Sequence, residues 1–186
     1  MGKIFELISD DALEESDYSD ECSFCGEKGV PIYKITGLLI EPGQYQFQDI
    51  PEDMENSERD EACESCLKAG KIKLFSEWEI EPILKKHCNN PAEQLEKIRS
   101  TPTIPLFLQG LDWVVCCGEL CEFKGSPKTY DESIVLVDSY QFWHKGPEDW
   151  KTFWSSGFTL EPESLDEVSK FECHQCNKNW FIWQNT

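Results

Sequence analysis

Cys22-Ser23-Phe24-Cys25-Gly26 is the first of three C-x-x-C motifs in a chain of 186 residues, and the other two are Cys63–Cys66 and Cys173–Cys176. A C-x-x-C turn lets two thiolates converge on one tetrahedral ion, and four thiolates complete a closed structural zinc site. Gly26 relieves the tight turn, as in a zinc knuckle. These motifs predict a small fold that is stapled by zinc-ribbon-like cysteine knuckles.

The first two motifs are predicted to share one zinc ion. The gap between Cys25 and Cys63 exceeds the usual zinc-ribbon spacing, but it leaves room for an inserted hairpin. The alternative is that these cysteines are buried and bind no metal, which two correctly spaced pairs disfavour. The predicted ligands of the first site are Cys22, Cys25, Cys63 and Cys66.

The third motif lacks a fourth C-x-x-C partner, so its remaining ligands must come from elsewhere in the chain. The favoured set for a second zinc site is Cys117, Cys121, Cys173 and Cys176, with Cys116 as an alternative to Cys117. Cys88 is interpreted as an ordinary thiol. Thiol redox chemistry at Cys173–Cys176 is the competing interpretation, but a strand-like sequence follows this pair where a redox motif begins a helix.

Both helical and extended patterns occur along the chain, which predicts an α+β fold. Apolar residues recur at helical spacing within Ser76–Cys88, and Asn90–Arg99 has the cap and the proline of a helix start. Ile134–Val137 is predicted to be a buried strand, and Phe171–Trp183 is predicted to be extended around the last cysteine pair.

The predicted organisation is an acidic, weakly ordered segment over residues 1–20, followed by a single zinc-binding domain over residues 21–186. Two small lobes, at about 21–100 and 101–186, are the alternative. A group of tryptophans can form either a binding surface or ordinary core, and core is preferred. These residues are Trp143, Trp150, Trp154, Trp180 and Trp183.

The formal net charge is −19, and residues 1–60 contribute sixteen acidic against four basic residues. Such a chain repels phosphate backbones and anionic lipids, so we expect neither nucleic acid nor membrane as a partner. The same field favours rapid capture of a basic protein. The acidic stretch Asp10–Glu21 is interpreted as a solvated face or a mobile tail.

No catalytic motif is recognisable, and we do not expect an enzyme. His87, His144 and His174 form no pair with a cysteine that could be argued from spacing, and closed all-thiolate zinc sites are structural. The N-terminus has no long apolar leader, and cysteine pairs of this kind suit a reducing compartment. The expected location is the cytoplasm.

The ordered set of motifs resembles the CbrC-like family of small cysteine-rich bacterial proteins, which are linked to colicin tolerance. In this sequence Ser100 is inserted before Thr101-Pro102, Cys116 stands where the family has histidine, and Glu119 stands where it has aspartate. A histidine-to-cysteine change keeps the capacity to bind metal. The stretches that carry the resemblance are Cys22–Gly26, Ile32-Tyr33, Cys63–Gly70, Arg99–Pro102, Trp113–Gly125 and Phe171–Lys178.

The resemblance implies an acidic zinc-binding protein of the immunity type, which binds and neutralises a basic bacterial toxin domain. The first alternative is a zinc-ribbon adaptor or stress protein without a toxin partner. The second alternative is a thiol-redox or metal-handling protein.

Overall fold

The structure is a computed structural model. It describes residues 2–35, 38–39, 61–69, 72–73, 77–101, 107, 109–149 and 165–184.

Helices and strands alternate in no simple order, and the predicted α+β class is confirmed. The helices are α1 (Glu64–Lys68), α2 (Glu77–His87), α3 (Pro91–Arg99) and α4 (Tyr130–Ser139). The strands are β1 (Ile32–Lys34), β2 (Leu38–Leu39), β3 (Glu61–Cys63), β4 (Ile72–Lys73), β5 (Val115–Cys116), β6 (Glu119–Leu120), β7 (Glu122–Phe123), β8 (Gln141–Trp143), β9 (Pro147–Glu148), β10 (Val168–Glu172) and β11 (Asn179–Trp183).

The largest sheet has five strands in the order β7-β10-β11-β8-β9. Strands β10 and β11 form its centre, with five antiparallel residue pairs from Val168↔Trp183 to Glu172↔Asn179. Strand β8 joins β11 in parallel, and the other pairings in this sheet are antiparallel. The predicted extended character of 171–183 is therefore confirmed, and the last C-x-x-C motif lies at the turn of the central hairpin.

Three two-stranded ladders complete the described β-structure, and two of them carry predicted ligands. Strand β1 pairs with β3, which places Ile32 opposite Cys63. Strands β5 and β6 form a hairpin in which Cys116 lies opposite Glu119. The third ladder joins β2 to β4.

One main hydrophobic core draws its side chains from both halves of the described chain. Leu67 and Ile80 pack in the same cluster as Trp113 and Phe171, whose rings meet edge-on at a centroid distance of 5.5 Å. A smaller cluster lies beneath α4 and includes Leu136 and Phe181. Trp143, Trp180 and Trp183 are buried, in keeping with a core role, while Trp150 and Trp154 lie outside the described residues.

The N-terminal segment also contributes to this core. Its apolar side chains pack inward, its backbone amide at Ser9 donates to the carbonyl of Phe123, and residues 10–12 form a short 3-10 turn. The buried residues of the segment are Phe5, Leu7, Ile8, Ala12 and Leu13.

Local pattern predicts two helices and one strand between residues 76 and 137, and the structure has the two helices but not the strand. Helices α2 and α3 match the stretches 76–88 and 90–99, and the Asn90 side chain accepts a hydrogen bond from the Glu93 amide as expected of a cap. The prediction of a buried strand at Ile134–Val137 was wrong, since these residues lie in α4. Ile134 and Val135 are exposed while Leu136 packs in the small core, because a helix directs successive side chains to different faces.

None of the helices in the described residues combines the length and the hydropathy that crossing a membrane requires.

Candidate metal centres

The first candidate metal centre brings together the four cysteines predicted for it. Their sulfur atoms all lie within 4.8 Å of one another, and Cys25 Sγ is 3.7 Å from Cys63 Sγ. This spacing suits four thiolates around one tetrahedral ion, with each metal–sulfur bond about 2.3 Å long. The group consists of Cys22, Cys25, Cys63 and Cys66.

A tight turn over residues 22–27 supplies the first two ligands. The Cys22 amide donates to the Glu27 carbonyl at 2.9 Å, and the Gly26 amide donates back to the Cys22 carbonyl at 2.8 Å. Gly26 has φ +73°, a left-handed conformation in which a Cβ is strained. The sequence folds this way because a residue without a side chain follows the second cysteine.

The other two ligands lie where β3 passes into α1. Cys63 is the residue before the first turn of α1, and Cys66 lies within the helix, so both thiols face the knuckle. The Cys63 amide donates to Cys22 Sγ at 3.3 Å. This bond joins the two halves of the centre and stabilises negative charge on the sulfur.

The second candidate centre combines the tip of the β5–β6 hairpin with the turn of the central hairpin. Its sulfur atoms also lie within 4.8 Å of one another, and Cys116 Sγ is 3.6 Å from Cys176 Sγ. Cys117 and Gly118 form the two-residue hairpin loop with φ +55° and +84°, the signs of a type I′ turn. The group consists of Cys116, Cys117, Cys173 and Cys176.

The turn over residues 173–178 repeats the hydrogen bonds of the turn over residues 22–27. The Cys173 amide donates to the Lys178 carbonyl at 2.9 Å, and the Asn177 amide donates to the Cys173 carbonyl at 2.8 Å. Asn177 takes the place of Gly26 and has φ +56°. Asparagine is one of the few residues that adopt this conformation readily, so both turns are the same knuckle.

The second group differs from the favoured sequence prediction at one position. Cys116 and Cys117 both belong to the group, although Cys116 was predicted only as a substitute for Cys117, and Cys121 is not a member. The Cys121 thiol is buried beside Cys173, and its carbonyl accepts a hydrogen bond from Trp113 Nε1 at 2.8 Å. The sequence signal for this arrangement is Cys-Cys-Gly itself, because a two-residue type I′ loop ending in glycine places both preceding cysteines near the hairpin tip.

The two centres differ in their exposure to solvent. In the first centre Cys22, Cys63 and Cys66 are buried, and Cys25 is exposed. In the second centre Cys173 is buried, Cys116 is half-buried, and Cys117 and Cys176 are exposed. The second centre therefore lies at the protein surface.

Each centre contains a thiol whose pKa is lowered. Burial raises the pKa of Cys22, but amides at Cys63, Phe24 and Cys25 hydrogen-bond to its sulfur, and the pKa falls to about 6. The Lys178 amide lowers the pKa of Cys176 to about 7. A lowered thiol pKa favours the thiolate form, which is the form that binds a metal ion.

Two other members of the centres have a raised pKa, because burial is the largest influence on them. Burial raises the pKa of Cys66, and it raises the pKa of Cys116 to about 12, with neighbouring thiols adding to both shifts. Metal binding has to displace these protons, so metal affinity at both centres is expected to fall as the pH falls.

Charged side chains surround the second centre. Glu122 is buried, and its Oε2 lies 3.2 Å from Lys124 Nζ and 3.7 Å from His174 Nε2. His174 lies between the two cysteines of the knuckle and is exposed. The other two histidines lie elsewhere: the His87 ring packs edge-on against Trp143, and His144 follows that tryptophan in the chain.

The acidic stretch Asp10–Glu21 ends next to Cys22 in the chain and is held against β1 by backbone hydrogen bonds. The Ser16 amide donates to the Ile32 carbonyl, and the Lys34 amide donates to the Glu14 carbonyl, both at 2.7 Å. The stretch thus lies against one edge of β1, and β3 with Cys63 lies against the other edge. Six of its seven acidic side chains are exposed.

Comparisons of this chain with protein-family models, curated proteins and solved structures found no match.

Proposed function

We propose that the protein is an acidic protein that binds zinc at its two metal centres and binds a basic protein at its surface. The two four-thiol groups with metal-binding spacing carry the first part of this proposal. Thiolate-only ligand sets favour zinc over the hard cations magnesium and calcium, which prefer oxygen ligands.

Zinc at the first centre would tie the knuckle over residues 22–27 to the junction of β3 and α1. These segments are far apart in sequence, and Cys63 and Cys66 belong to the main core. Metal binding would therefore contribute directly to the free energy of folding, as it does in other small structural zinc sites.

The acidic stretch Asp10–Glu21 is the proposed contact surface for the partner. Its exposed carboxylates are held along β1 by the backbone bonds to Ile32 and Lys34. Binding to a charge pattern that is already fixed costs less conformational entropy than binding to a mobile tail, which has to become ordered in the complex. Two zinc ions with eight thiolates would take the formal charge from −19 to −23 and strengthen the attraction.

The proposed partner is a bacterial toxin domain, so that the protein confers tolerance in the manner of an immunity protein. Nuclease domains need basic grooves to bind nucleic acid, and an acidic protein can occupy such a groove by charge complementarity. The resemblance of the cysteine and tryptophan motifs to proteins linked to colicin tolerance supports this choice.

The test is an affinity pull-down of the zinc-loaded, tagged protein from its host at low and high salt, with bound proteins identified by mass spectrometry. We expect a basic, toxin-like protein that is recovered at low salt and depleted at high salt. Recovery that is unaffected by salt, or an absence of basic proteins, would contradict the proposed partner class.

A pair of charge-matched variants locates the contact surface. Neutralising Asp11, Glu15 and Asp20 as Asn, Gln and Asn removes three exposed charges from the acidic stretch. Neutralising Asp131, Asp138 and Glu148 in the same way removes three exposed charges from α4 and β9. We expect the first triple variant to bind at least ~10-fold more weakly than the second, and equal losses would reject the acidic stretch as the contact.

A further inference from the structure

The second centre, formed by Cys116, Cys117, Cys173 and Cys176, is more open to solvent than the first centre. Two of its four thiols are exposed and one is half-buried, whereas three of the four thiols of the first centre are buried. Small oxidants and chelators reach sulfur through solvent, so this difference alone predicts that the two centres react at different rates.

The segments that carry the second centre are held in place by bonds that need no metal. The Asn89 amide donates to the Gly118 carbonyl at 2.9 Å, and the Gln94 side chain accepts from the Leu120 amide at 3.1 Å. The hairpin tip is thereby docked onto the connection between α2 and α3 and onto α3 itself. The knuckle over residues 173–178 is anchored by the five residue pairs of β10 and β11.

One close pair of thiols in this centre spans its two halves. Cys116 Sγ lies 3.6 Å from Cys176 Sγ, across the gap between hairpin and knuckle. Cys117 Sγ lies 3.9 Å from Cys116 Sγ, but adjacent cysteines close a strained ring when they are oxidised. Of these two pairs, Cys116 and Cys176 have the geometry that better suits a disulfide.

We infer that the second centre, loaded with zinc, is a peroxide-responsive metal switch, whereas the first centre is a permanent staple. This inference rests on the zinc binding of the proposed function and is independent of the proposed partner. The Cys176 thiolate attacks one peroxide oxygen and becomes a sulfenic acid, and hydroxide leaves. The Cys116 thiolate then attacks that sulfur, the Cys116–Cys176 disulfide forms, and a second hydroxide leaves.

Protons from solvent complete this reaction. The two thiolates together lose two electrons, hydrogen peroxide accepts them, and two protons convert the hydroxides to water. Cys117 and Cys173 keep only two thiolates for the ion, which is too few to hold it tightly. Zinc leaves as the hydrated ion, and two further protons convert these thiolates to thiols.

The test treats the zinc-loaded full chain with hydrogen peroxide and follows released zinc with a metallochromic indicator. Metal content is measured beforehand by atomic spectroscopy, and disulfides are mapped by alkylation and mass spectrometry afterwards. We expect two zinc ions per chain before treatment, rapid release of one, and release of the other at least ~10-fold more slowly. The mapped disulfide is expected to be Cys116–Cys176, with circular dichroism unchanged.

Two control variants, Cys88→Ser and Cys121→Ala, remove cysteines that lie outside both groups. Both are expected to release zinc at the rate of the unaltered protein. Release of both ions together, a disulfide that includes Cys121, or loss of the fold with the first ion would overturn the inference. A chain that contains no zinc before treatment would reject the metal part of the proposed function as well, whereas two stable ions would reject the switch alone.

Discussion

Cys63 lies at the junction of β3 and α1, where its sulfur contacts Cys25 Sγ and its amide donates to Cys22 Sγ. Replacing it with serine is expected to abolish zinc binding at the first centre and to lower the free energy of unfolding by at least ~3 kcal/mol. Zinc content and thermal unfolding measure the two effects.

Cys88→Ser is the matched control for Cys63→Ser. Cys88 is half-buried, and it belongs to neither four-thiol group. We expect two zinc ions per chain in this variant. If Cys63→Ser retained both ions, Cys63 would not be a ligand.

Gly26 and Asn177 occupy the same position in the two knuckles, and both have positive φ. Gly26→Ala is expected to destabilise the protein by about 1–2 kcal/mol, because alanine is strained in this conformation. The nearest atom to an added Cβ is Glu21 Oε1 at 3.5 Å, so the cost comes from the backbone and not from a clash.

Asn177→Gly is the complementary change, and it is expected to alter stability by less than ~1 kcal/mol because glycine adopts positive φ without strain. Urea unfolding of both variants in the zinc-loaded state tests the pair. A larger loss from Asn177→Gly than from Gly26→Ala would mean that the asparagine side chain, and not its backbone, supports the second knuckle.

At the residue scale, the sequence predicts every member of the first centre because C-x-x-C spacing is a local property. The choice between Cys116 and Cys121 depends on where the β5–β6 hairpin turns. Both cysteines are close enough to Cys117 along the chain to share a metal site with it. The hairpin turns at Cys117 and Gly118, which both have positive φ, and this turn brings Cys116 to the knuckle. Spacing rules do not contain that information, whereas turn chemistry does.

Among the helices and strands, α4 is the one whose start is most clearly explained by neighbouring residues in the sequence. Thr129 Oγ1 accepts from the Glu132 amide, and Glu132 Oε2 accepts from the Lys128 amide at 2.9 Å, which is a capping arrangement at the helix start. Thr129→Ala is expected to cost about 1 kcal/mol, and Thr129→Ser is expected to be nearly neutral. Thermal unfolding compares the two, and equal losses would show that the hydroxyl does not act as a cap.

The prediction of a strand at Ile134–Val137 rests on those four residues alone and does not include the helix start at Thr129. Four apolar residues in a row fit a buried strand, and the competing cap at Thr129 lies outside that window. By contrast, Asn90 and Pro91 adjoin the helix that they begin, and α3 was correctly predicted from them.

Helix α4 is tied to the main sheet by Glu132, whose Oε1 accepts from Lys170 Nζ at 2.7 Å. This bond, together with the Lys128 amide, lowers the pKa of Glu132 below 4.5. A carboxyl with a lowered pKa in the folded state stabilises that state above its unfolded pKa, and the contribution is lost as the pH falls through the folded pKa.

Glu132→Gln is therefore expected to reduce stability most above about pH 5 and to matter less as the pH falls below about 4. Free energies of unfolding for both proteins across this range provide the measurement. A difference that stayed constant with pH would indicate that Glu132 acts through packing and not through its charge.

At the scale of the whole molecule, the excess of negative charge opposes the compact state. With a formal charge of −19, screening of self-repulsion is expected to raise the melting temperature as sodium chloride increases from about 0.02 to 0.3 M. The zinc-loaded protein is the sample, and sucrose is the uncharged control. A melting temperature that fell with salt would mean that the ion pairs, such as Lys97 with Glu6, outweigh the repulsion.

Local sequence patterns predict the α+β class and composition gives the charge of the molecule, but neither predicts how the parts of the chain meet. Leu7 and Ile8 of the N-terminal segment are buried in the main core, a contact that no local pattern in residues 1–20 indicates. The parallel pairing of β8 with β11 is equally absent from local pattern, because it depends on a connection between distant stretches of chain. Long-range packing of this kind is a property of the folded chain.

The shared hydrogen-bond frame of the two knuckles has an evolutionary consequence. Only the handedness of the backbone has to be kept at positions 26 and 177, so an exchange of glycine and asparagine there is compatible with the turn. A search pattern that requires C-x-x-C-G would find the turn at residue 22 and miss its twin at residue 173. Relatives of this chain are better sought with a pattern that accepts either residue after the second cysteine.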